Sequence, residues 1–214
     1  MDYSKEQIVS MVQKALDNPS LAYRRKVFKF RGPRSGERYT EIAAEELLKP
    51  ENFDKLGTIP RIDREDYRAK SHDGLANKRM PDNSNRQENW IAKRLFGKSF
   101  DHIGEFIDFE TPLKKSAADS AGKIDLIAHS KTSGKTYMLE LKRPESDETL
   151  LRCALEIYTY YKTANHGNLL KSFSLPGESA IPGILVYIKS QAYQDFISES
   201  CRTVRILMKK LGVS

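Results

Sequence analysis

Two short apolar segments joined by a turn constrain the fold of this 214-residue chain more than any other feature. Residues 122–128 and 136–142 have the alternating, β-rich pattern of strands, and residues 131–135 between them favour a turn. The pattern predicts an antiparallel β-hairpin. Asp125, Glu140 and Lys142 lie within its strands, where charged side chains are costly unless they have a function.

The register of this hairpin decides whether the three charged side chains meet. A turn centred at 132/133 pairs Asp125 with Glu140, and a turn centred at 133/134 pairs it with Lys142. Because side chains alternate between faces, any even-numbered loop puts all three on one face, with cross-strand Cβ distances of about 5 Å. The opposite face then collects the apolar residues Ile124, Leu126, Leu139 and Leu141. The alternative is an ordinary surface hairpin with a Glu/Lys ladder.

Asp125 followed by the tripeptide Glu140-Leu141-Lys142 resembles the active site of the PD-(D/E)XK nuclease superfamily, which has the restriction-endonuclease-like fold. The resemblance covers about residues 84–190, and Ile124 stands where the family has a proline. It implies Mg²⁺, with Mn²⁺ as the alternative, bound by Asp125, Glu140 and the backbone carbonyl of Leu141. It also implies that Lys142 orients or deprotonates the attacking water, or neutralises charge in the transition state.

Two further acids have counterparts in the family. Glu88 lies on the apolar stripe of a helix predicted from Ser84 to Phe96, and many family members carry a metal-site glutamate on their first helix. The alternative for Glu88 is a first-turn acid favoured by the helix dipole. Glu156 precedes Tyr160 by four residues, where branches of the family have glutamine. The competing interpretation is an intrahelical pair of Glu156 with Arg152.

The N-terminal part of the chain is strongly basic between positions 24 and 38. Seven basic residues fall there against one acid, and aromatic residues interleave with them. We interpret this stretch as a hairpin that either grips nucleic-acid phosphates or is merely solvated. The candidate nucleic-acid-binding residues are Arg24, Arg25, Lys26, Lys29, Arg31, Arg34 and, beside the tripeptide, Arg143.

The net charge, the apolar stretches and the cysteines of the chain are compatible with this interpretation. The net charge of +7 favours a polyanionic partner. The N-terminus lacks the apolar run of a signal peptide, and the longest apolar stretch, 184–188, is too short to span a bilayer, so we expect a cytoplasmic location and no membrane partner. The two cysteines have neither metal-ligand spacing nor a disulfide framework.

The remaining pattern predicts the rest of the fold. We expect helices at 4–16, 41–48, 148–162 and 191–211, strands at 105–113 and 182–188, and loop over most of 50–85. Alternation puts Asp108 and Glu110 on a solvated face of the first strand, as bystanders. The chain would then be an α/β protein with an accessory region at 1–83 and a core at 84–214. The core order, α-β-β-β-α-β, matches the sandwich of the family, a mixed sheet flanked by helices.

The sequence is therefore interpreted as that of a metal-dependent nuclease, with DNA favoured over RNA. Two alternatives remain: a nucleic-acid-binding module without catalysis, and a subunit whose basic segment meets a protein partner. Endo- or exonucleolytic action, one or two metal ions, and a monomer or a homodimer all stay open.

Overall fold

A single mixed sheet forms the centre of the computed structural model, which describes residues 3–32, 37–69, 72, 87–115 and 122–214. Within these residues the sheet has five strands in the order β1-β2-β3-β4-β5. The pairs β1–β2, β2–β3 and β3–β4 are antiparallel, and the pair β4–β5 is parallel. The strands are β1 (Ser99–Phe100), β2 (Gly104–Pro112), β3 (Lys123–Ser130), β4 (Lys135–Lys142) and β5 (Ile181–Val186).

The predicted central hairpin is formed by β3 and β4. Leu126 pairs with Leu139 and Ser130 pairs with Lys135, which is the register of a turn centred at 132/133. The four-residue turn includes Gly134 with a φ of 67°, a left-handed conformation that favours glycine. One step beyond the Leu126–Leu139 pair, Asp125 lies across from Glu140.

Helices cover both faces of this sheet, so the predicted α/β class with a flanked mixed sheet is confirmed. The α-helices are α1 (Lys5–Ala15), α2 (Tyr39–Leu48), α3 (Pro50–Gly57), α4 (Gln87–Leu95), α5 (Leu150–Thr163), α6 (His166–Ser172), α7 (Gln191–Ile197) and α8 (Arg202–Leu211). Local signals explain several of their ends. Ser4 and Gln7 form a capping box at α1, Thr149 caps α5, and Gly212 ends α8 with a φ of 72°.

Two hydrophobic clusters lie on opposite faces of the sheet. The smaller one packs α4 on the sheet and includes Leu126, Leu139 and Leu141, as expected for the reverse face of the hairpin. Ile124 was expected there too, but it belongs to the larger cluster. That cluster joins α5 to the N-terminal helices, so residues from both the accessory region and the core contribute to it.

The predicted basic hairpin is wrong where the structure describes it. Residues Pro19–Arg24 and Lys26–Phe28 are short 3-10 helices. Val27 and Phe28 are consecutive and both buried, whereas a strand would turn them to opposite faces. Packing of this segment against α2 and α1 therefore favours a helical turn. Arg34 lies outside the described residues.

Three other expectations also need correction. Residues 50–57, predicted as loop, form α3, which begins with Pro50 at a position that suits proline. The predicted helix 191–211 is divided by an extended residue, Ser198, whose hydroxyl accepts a hydrogen bond from Arg38. The short β1 and helix α6 were not predicted.

Asp108 is not on a solvated face. The register of β2 against β3 shifts between Phe106 and Asp108, so the strict alternation assumed for this strand fails. The Asp108 side chain is buried, with one oxygen 2.8 Å from His72 Nδ1 and the other accepting from the Thr111 hydroxyl at 2.5 Å. It is a satisfied buried polar group.

Removing the Phe28 side chain tests how firmly the N-terminal segment belongs to the core. Phe28 is fully buried, and its backbone carbonyl accepts the hydroxyl of Thr149 at the start of α5. Phe28→Ala should lower the free energy of unfolding by about 3–5 kcal/mol. Exposed Lys29→Ala should change it by no more than about 0.5 kcal/mol. Equal stability of the two variants in urea denaturation would show that this segment is not packed as described.

Candidate active site

Lys142 lies at the centre of a group of acidic side chains at the end of β4. Its Nζ is 2.7 Å from Glu140 Oε1, 2.9 Å from Glu148 Oε2 and 3.8 Å from Glu88 Oε2. Only 6% of the Lys142 side chain and 4% of the Glu140 side chain are exposed. Burial alone would lower the pKa of Lys142, but the neighbouring charges, led by Glu140, raise it well above its ordinary value. The ammonium is therefore retained.

Asp125 joins this group from β3. Its Oδ2 accepts a hydrogen bond from the Leu141 backbone N–H at 2.8 Å. Burial raises the pKa of the Asp125 carboxyl to about 7. Lys142 and the Leu141 N–H oppose that shift, and the charges of Glu156 and Glu88 add to it.

Glu140 is the most enclosed acid of the group. Burial raises its pKa well above the ordinary value, and the negative charges of Asp125 and Glu156 raise it further. Its Oε1 contacts Lys142, whereas its buried Oε2 has no hydrogen-bond partner. The hairpin register thus brings Asp125, Glu140 and Lys142 together, as the sequence predicted.

Helix α4 brings Glu88 to the same place. Glu88 lies in its first turn, and Glu88 Oε1 accepts from the Arg143 backbone N–H at 3.5 Å. About a third of the side chain remains exposed. Ser84, the predicted first residue of this helix, lies outside the described residues.

Two more glutamates reach the group from the segment that begins at Glu148. Arg152 pairs with Glu148 by a short contact, and its Nη2 lies 4.0 Å from Glu156 Oε2. Glu156 Oε1 accepts from the Tyr160 hydroxyl at 2.8 Å, which is its closer contact. The Arg152–Glu156 pair therefore exists but is long. Glu148 was missed by the sequence analysis, although its spacing of four from Arg152 and eight from Glu156 was a usable signal.

An open cleft of about 380 Å³ lies beside these side chains. Glu110 lines it, so the prediction that this residue is a bystander on a solvated face is incomplete. Glu110 has a φ of 46°, which is unusual for a non-glycine residue, and its carboxylate lies 2.9 Å from Lys123 Nζ. The lining residues are Gln87, Glu88, Asn89, Glu110, Asp125, Arg143, Ser146, Asp147 and Glu148.

Of the described candidate nucleic-acid-binding residues, Arg24, Arg25, Lys26, Lys29 and Arg31 are exposed, and Arg143 lines the cleft. Arg31 also pairs with Asp195, at 3.5 Å.

Arg24 is connected to the acidic group itself. Its Nε donates to the Tyr23 hydroxyl at 2.9 Å, and the hydroxyls of Tyr23 and Tyr160 are 3.3 Å apart. Tyr160 in turn contacts Glu156. The sequence analysis did not find the contact between Tyr23 and Tyr160, because local sequence patterns carry no information about contacts between residues so far apart in the chain.

Searches of protein-family models, of curated proteins and of solved structures found no match to this chain. Among the described residues, the helices are too short or too polar to cross a bilayer. The chemistry of the site is that of several carboxylates, three of them with a buried oxygen that makes no hydrogen bond, around a lysine ammonium at the edge of a cleft.

The shifted pKa of Asp125 predicts how stability depends on pH. Because the folded chain binds this proton more tightly than the unfolded chain, the contribution of Asp125 to the free energy of unfolding should fall as pH rises from about 4 through about 7, and then level off. In metal-free protein, Asp125→Asn should reduce the stability difference between about pH 5.5 and about pH 8. Urea denaturation with a chelator measures this difference.

Exposed Asp101→Asn is the matched control for that experiment. The shift at Glu140 acts in the same direction and persists in Asp125→Asn, so the effect should be a reduction and not a complete loss. An unchanged pH dependence in Asp125→Asn would contradict the raised pKa of Asp125.

Proposed function

We propose that this chain is a metal-dependent nuclease that hydrolyses phosphodiester bonds, with DNA as the favoured substrate. The observation that carries the proposal is the meeting of Asp125, Glu140 and Lys142 on one face of the β3–β4 hairpin. The resemblance of these residues to the PD-(D/E)XK motif supplies the reaction class. A surface hairpin with a Glu/Lys ladder is a poor alternative, because Glu140 and Lys142 are both buried.

The order of elements supports the same family. Helix α4, strands β2, β3 and β4, helix α5 and strand β5 occur in this order along the chain, with the short β1 between α4 and β2 and α6 between α5 and β5. This is the α-β-β-β-α-β order of the restriction-endonuclease-like core, and β5 is parallel to β4 within a mixed sheet. We therefore propose this fold for the core.

The donor set fits a divalent cation. Five carboxylates, from Glu88, Asp125, Glu140, Glu148 and Glu156, lie around two largely buried cationic side chains, Lys142 and Arg152, and Arg143 lines the adjoining cleft. Excess buried negative charge is costly, and oxygen ligands are those that Mg²⁺ and Mn²⁺ prefer. Asp125 and Glu140 would hold the ion, with Glu88 and the Leu141 carbonyl as further proposed ligands. A bound ion would polarise the scissile phosphate and lower the pKa of a coordinated water.

Lys142 supplies a fixed positive charge next to that position. Its raised pKa, caused chiefly by Glu140, disfavours the role of general base. Among the roles left open by the sequence, we favour orientation of the water and stabilisation of negative charge on the phosphate. Arg143, which lines the cleft, would contact the nucleic-acid backbone.

Cleavage assays test the catalytic proposal directly. Hydrolysis of plasmid DNA, single-stranded DNA or structured RNA should require Mg²⁺ or Mn²⁺. Asp125→Asn and Lys142→Ala should each slow it by about 100-fold to 1,000-fold, the loss typical of removing a group that stabilises the transition state.

The matched controls are exposed Asp101→Asn and Lys135→Ala, the second at the other end of β4. Both controls should leave the rate unchanged. Cleavage that survives both Asp125→Asn and Lys142→Ala, or that proceeds without a divalent cation, would refute the assignment.

Binding measurements separate the nuclease from its two rivals. Alanine substitution of Arg25, Lys26 and Lys29 together should weaken DNA binding. It should also reduce the slope of log affinity against log salt concentration by about one for each phosphate that the protein no longer neutralises. Fluorescence anisotropy across a salt series measures both quantities.

A triple control with Lys131, Lys135 and Lys209 changed to alanine removes the same charge from other exposed positions. This variant should retain the original slope. Salt-sensitive binding without any turnover would favour the non-catalytic module, and absence of any affinity for nucleic acid would favour the protein-interaction subunit.

A further inference from the structure

Glu140, Glu148 and Glu156 form a subgroup within the acidic cluster. Each offers a carboxylate oxygen, and these oxygens lie within 4.8 Å of one another. Glu140 comes from β4, Glu148 from the segment just before α5, and Glu156 from the second turn of α5. Asp125 is not part of this subgroup.

Each of these carboxylates has one oxygen that the protein engages, and in Glu140 and Glu156 the other oxygen lacks a close partner, whereas Oε2 of Glu148 lies beside Lys142. Oε1 contacts the Lys142 ammonium in Glu140, Arg152 in Glu148 and the Tyr160 hydroxyl in Glu156. The three Oε2 atoms are buried and have no hydrogen-bond partner. For Glu140 the side chain is more than nine-tenths buried, so its free oxygen has no access to bulk water.

The neighbouring cations do not balance this charge. Lys142 Nζ lies 2.9 Å from Glu148 Oε2, without hydrogen-bond geometry, and Arg152 Nη2 is 4.0 Å from Glu156 Oε2. Lys142 and Arg152 are therefore shared among the three glutamates of this subgroup, and Lys142 also interacts with Asp125 and Glu88. A buried carboxylate oxygen that lacks both water and a donor is costly unless something else binds it.

We propose that Glu140, Glu148 and Glu156 form a second divalent-cation site, distinct from the one at Asp125 and sharing Glu140 with it. The proposal deepens the nuclease assignment, and its two-ion form rests on the first ion at Asp125 and Glu140. An all-oxygen ligand set selects a hard cation such as Mg²⁺, Mn²⁺ or Ca²⁺. The 4.8 Å spread is about twice a typical metal–oxygen distance of about 2.0–2.6 Å, so small carboxylate rotations suffice to close the site.

A chain of hydrogen bonds from the N-terminal segment orients one ligand of this site. Arg24 donates to the Tyr23 hydroxyl, which lies 3.3 Å from the Tyr160 hydroxyl, and Tyr160 donates to Glu156 Oε1. With Oε1 held in this way, Oε2 is the oxygen available to a cation. Such outer contacts fix ligand geometry in metal sites, and we assign Tyr160 this positioning role.

Counting bound Mn²⁺ by electron paramagnetic resonance of the full chain tests the proposal. The wild-type chain should bind two ions. The double variant Glu148→Gln/Glu156→Gln should bind one, and so should Asp125→Asn. The matched control is Glu145→Gln, which removes the same charge from an exposed position three residues before Glu148 and should still bind two ions.

A milder variant keeps the test valid if the double variant does not fold. Tyr160→Phe leaves every carboxylate in place and should weaken the second ion by about 10-fold to 100-fold, as outer-contact substitutions do. An unchanged count in the double variant, or unchanged affinity for both ions in Tyr160→Phe, would overturn the second site.

The ion counts of the variants will differ in another way if the proposed metal site at Asp125 is wrong. If Asp125 holds no cation, Asp125→Asn will leave the ion count unchanged, while the glutamate variants still lower it. Loss of an ion in Asp125→Asn but not in Glu148→Gln/Glu156→Gln would instead support the first site and refute the second.

Discussion

The ion pair between Lys142 and Glu140 is the interaction on which the site depends. Both side chains are buried and Lys142 Nζ lies 2.7 Å from Glu140 Oε1, so removing either side chain would leave the other buried without its nearest ion-pair partner. Alternation along β4 puts them on the same face two residues apart, and the register with β3 adds Asp125. Once this pair is buried, every additional carboxylate nearby increases the need for a further positive charge. The Oε2 atom of Glu140, which is buried and has no hydrogen-bond partner, is the atom that such a charge would contact.

Contacts far from the cleft hold the segment that carries Glu148. Asp195 on α7 is almost fully buried and accepts from the Leu150 backbone N–H at 3.2 Å and from Arg38 at 3.1 Å. The Thr149 hydroxyl donates to the backbone carbonyl of Phe28. Residues from the N-terminal segment and from α7 therefore fix the start of α5. Disturbing either is expected to displace Glu148 without touching the hairpin motif.

The sequence predicted the features that depend on side-chain alternation along a strand and on the number of residues in a hairpin loop. It missed the features that depend on packing between residues far apart in the chain. Alternation and loop length were enough to bring Asp125, Glu140 and Lys142 together. They failed at Asp108, because an irregularity in β2 shifts the register there. Glu148 could not be placed, since its position depends on how α5 is held by Asp195 and by the N-terminal segment. The N-terminal segment was predicted wrongly for a related reason. Its first 3-10 turn packs against α5 and its second against α2 and α1, and local sequence preference carries no information about those surfaces.

The central claim is that buried carboxylates around Glu140 hold a divalent cation. Anomalous diffraction from crystals of the chain soaked in Mn²⁺ tests this most directly. An anomalous peak is expected within about 2.0–2.6 Å of carboxylate oxygens of both Asp125 and Glu140, the range of metal–oxygen distances for hard divalent cations. Crystals without a peak there, in which Asp125 and Glu140 instead share a proton between their carboxyl groups, would contradict it.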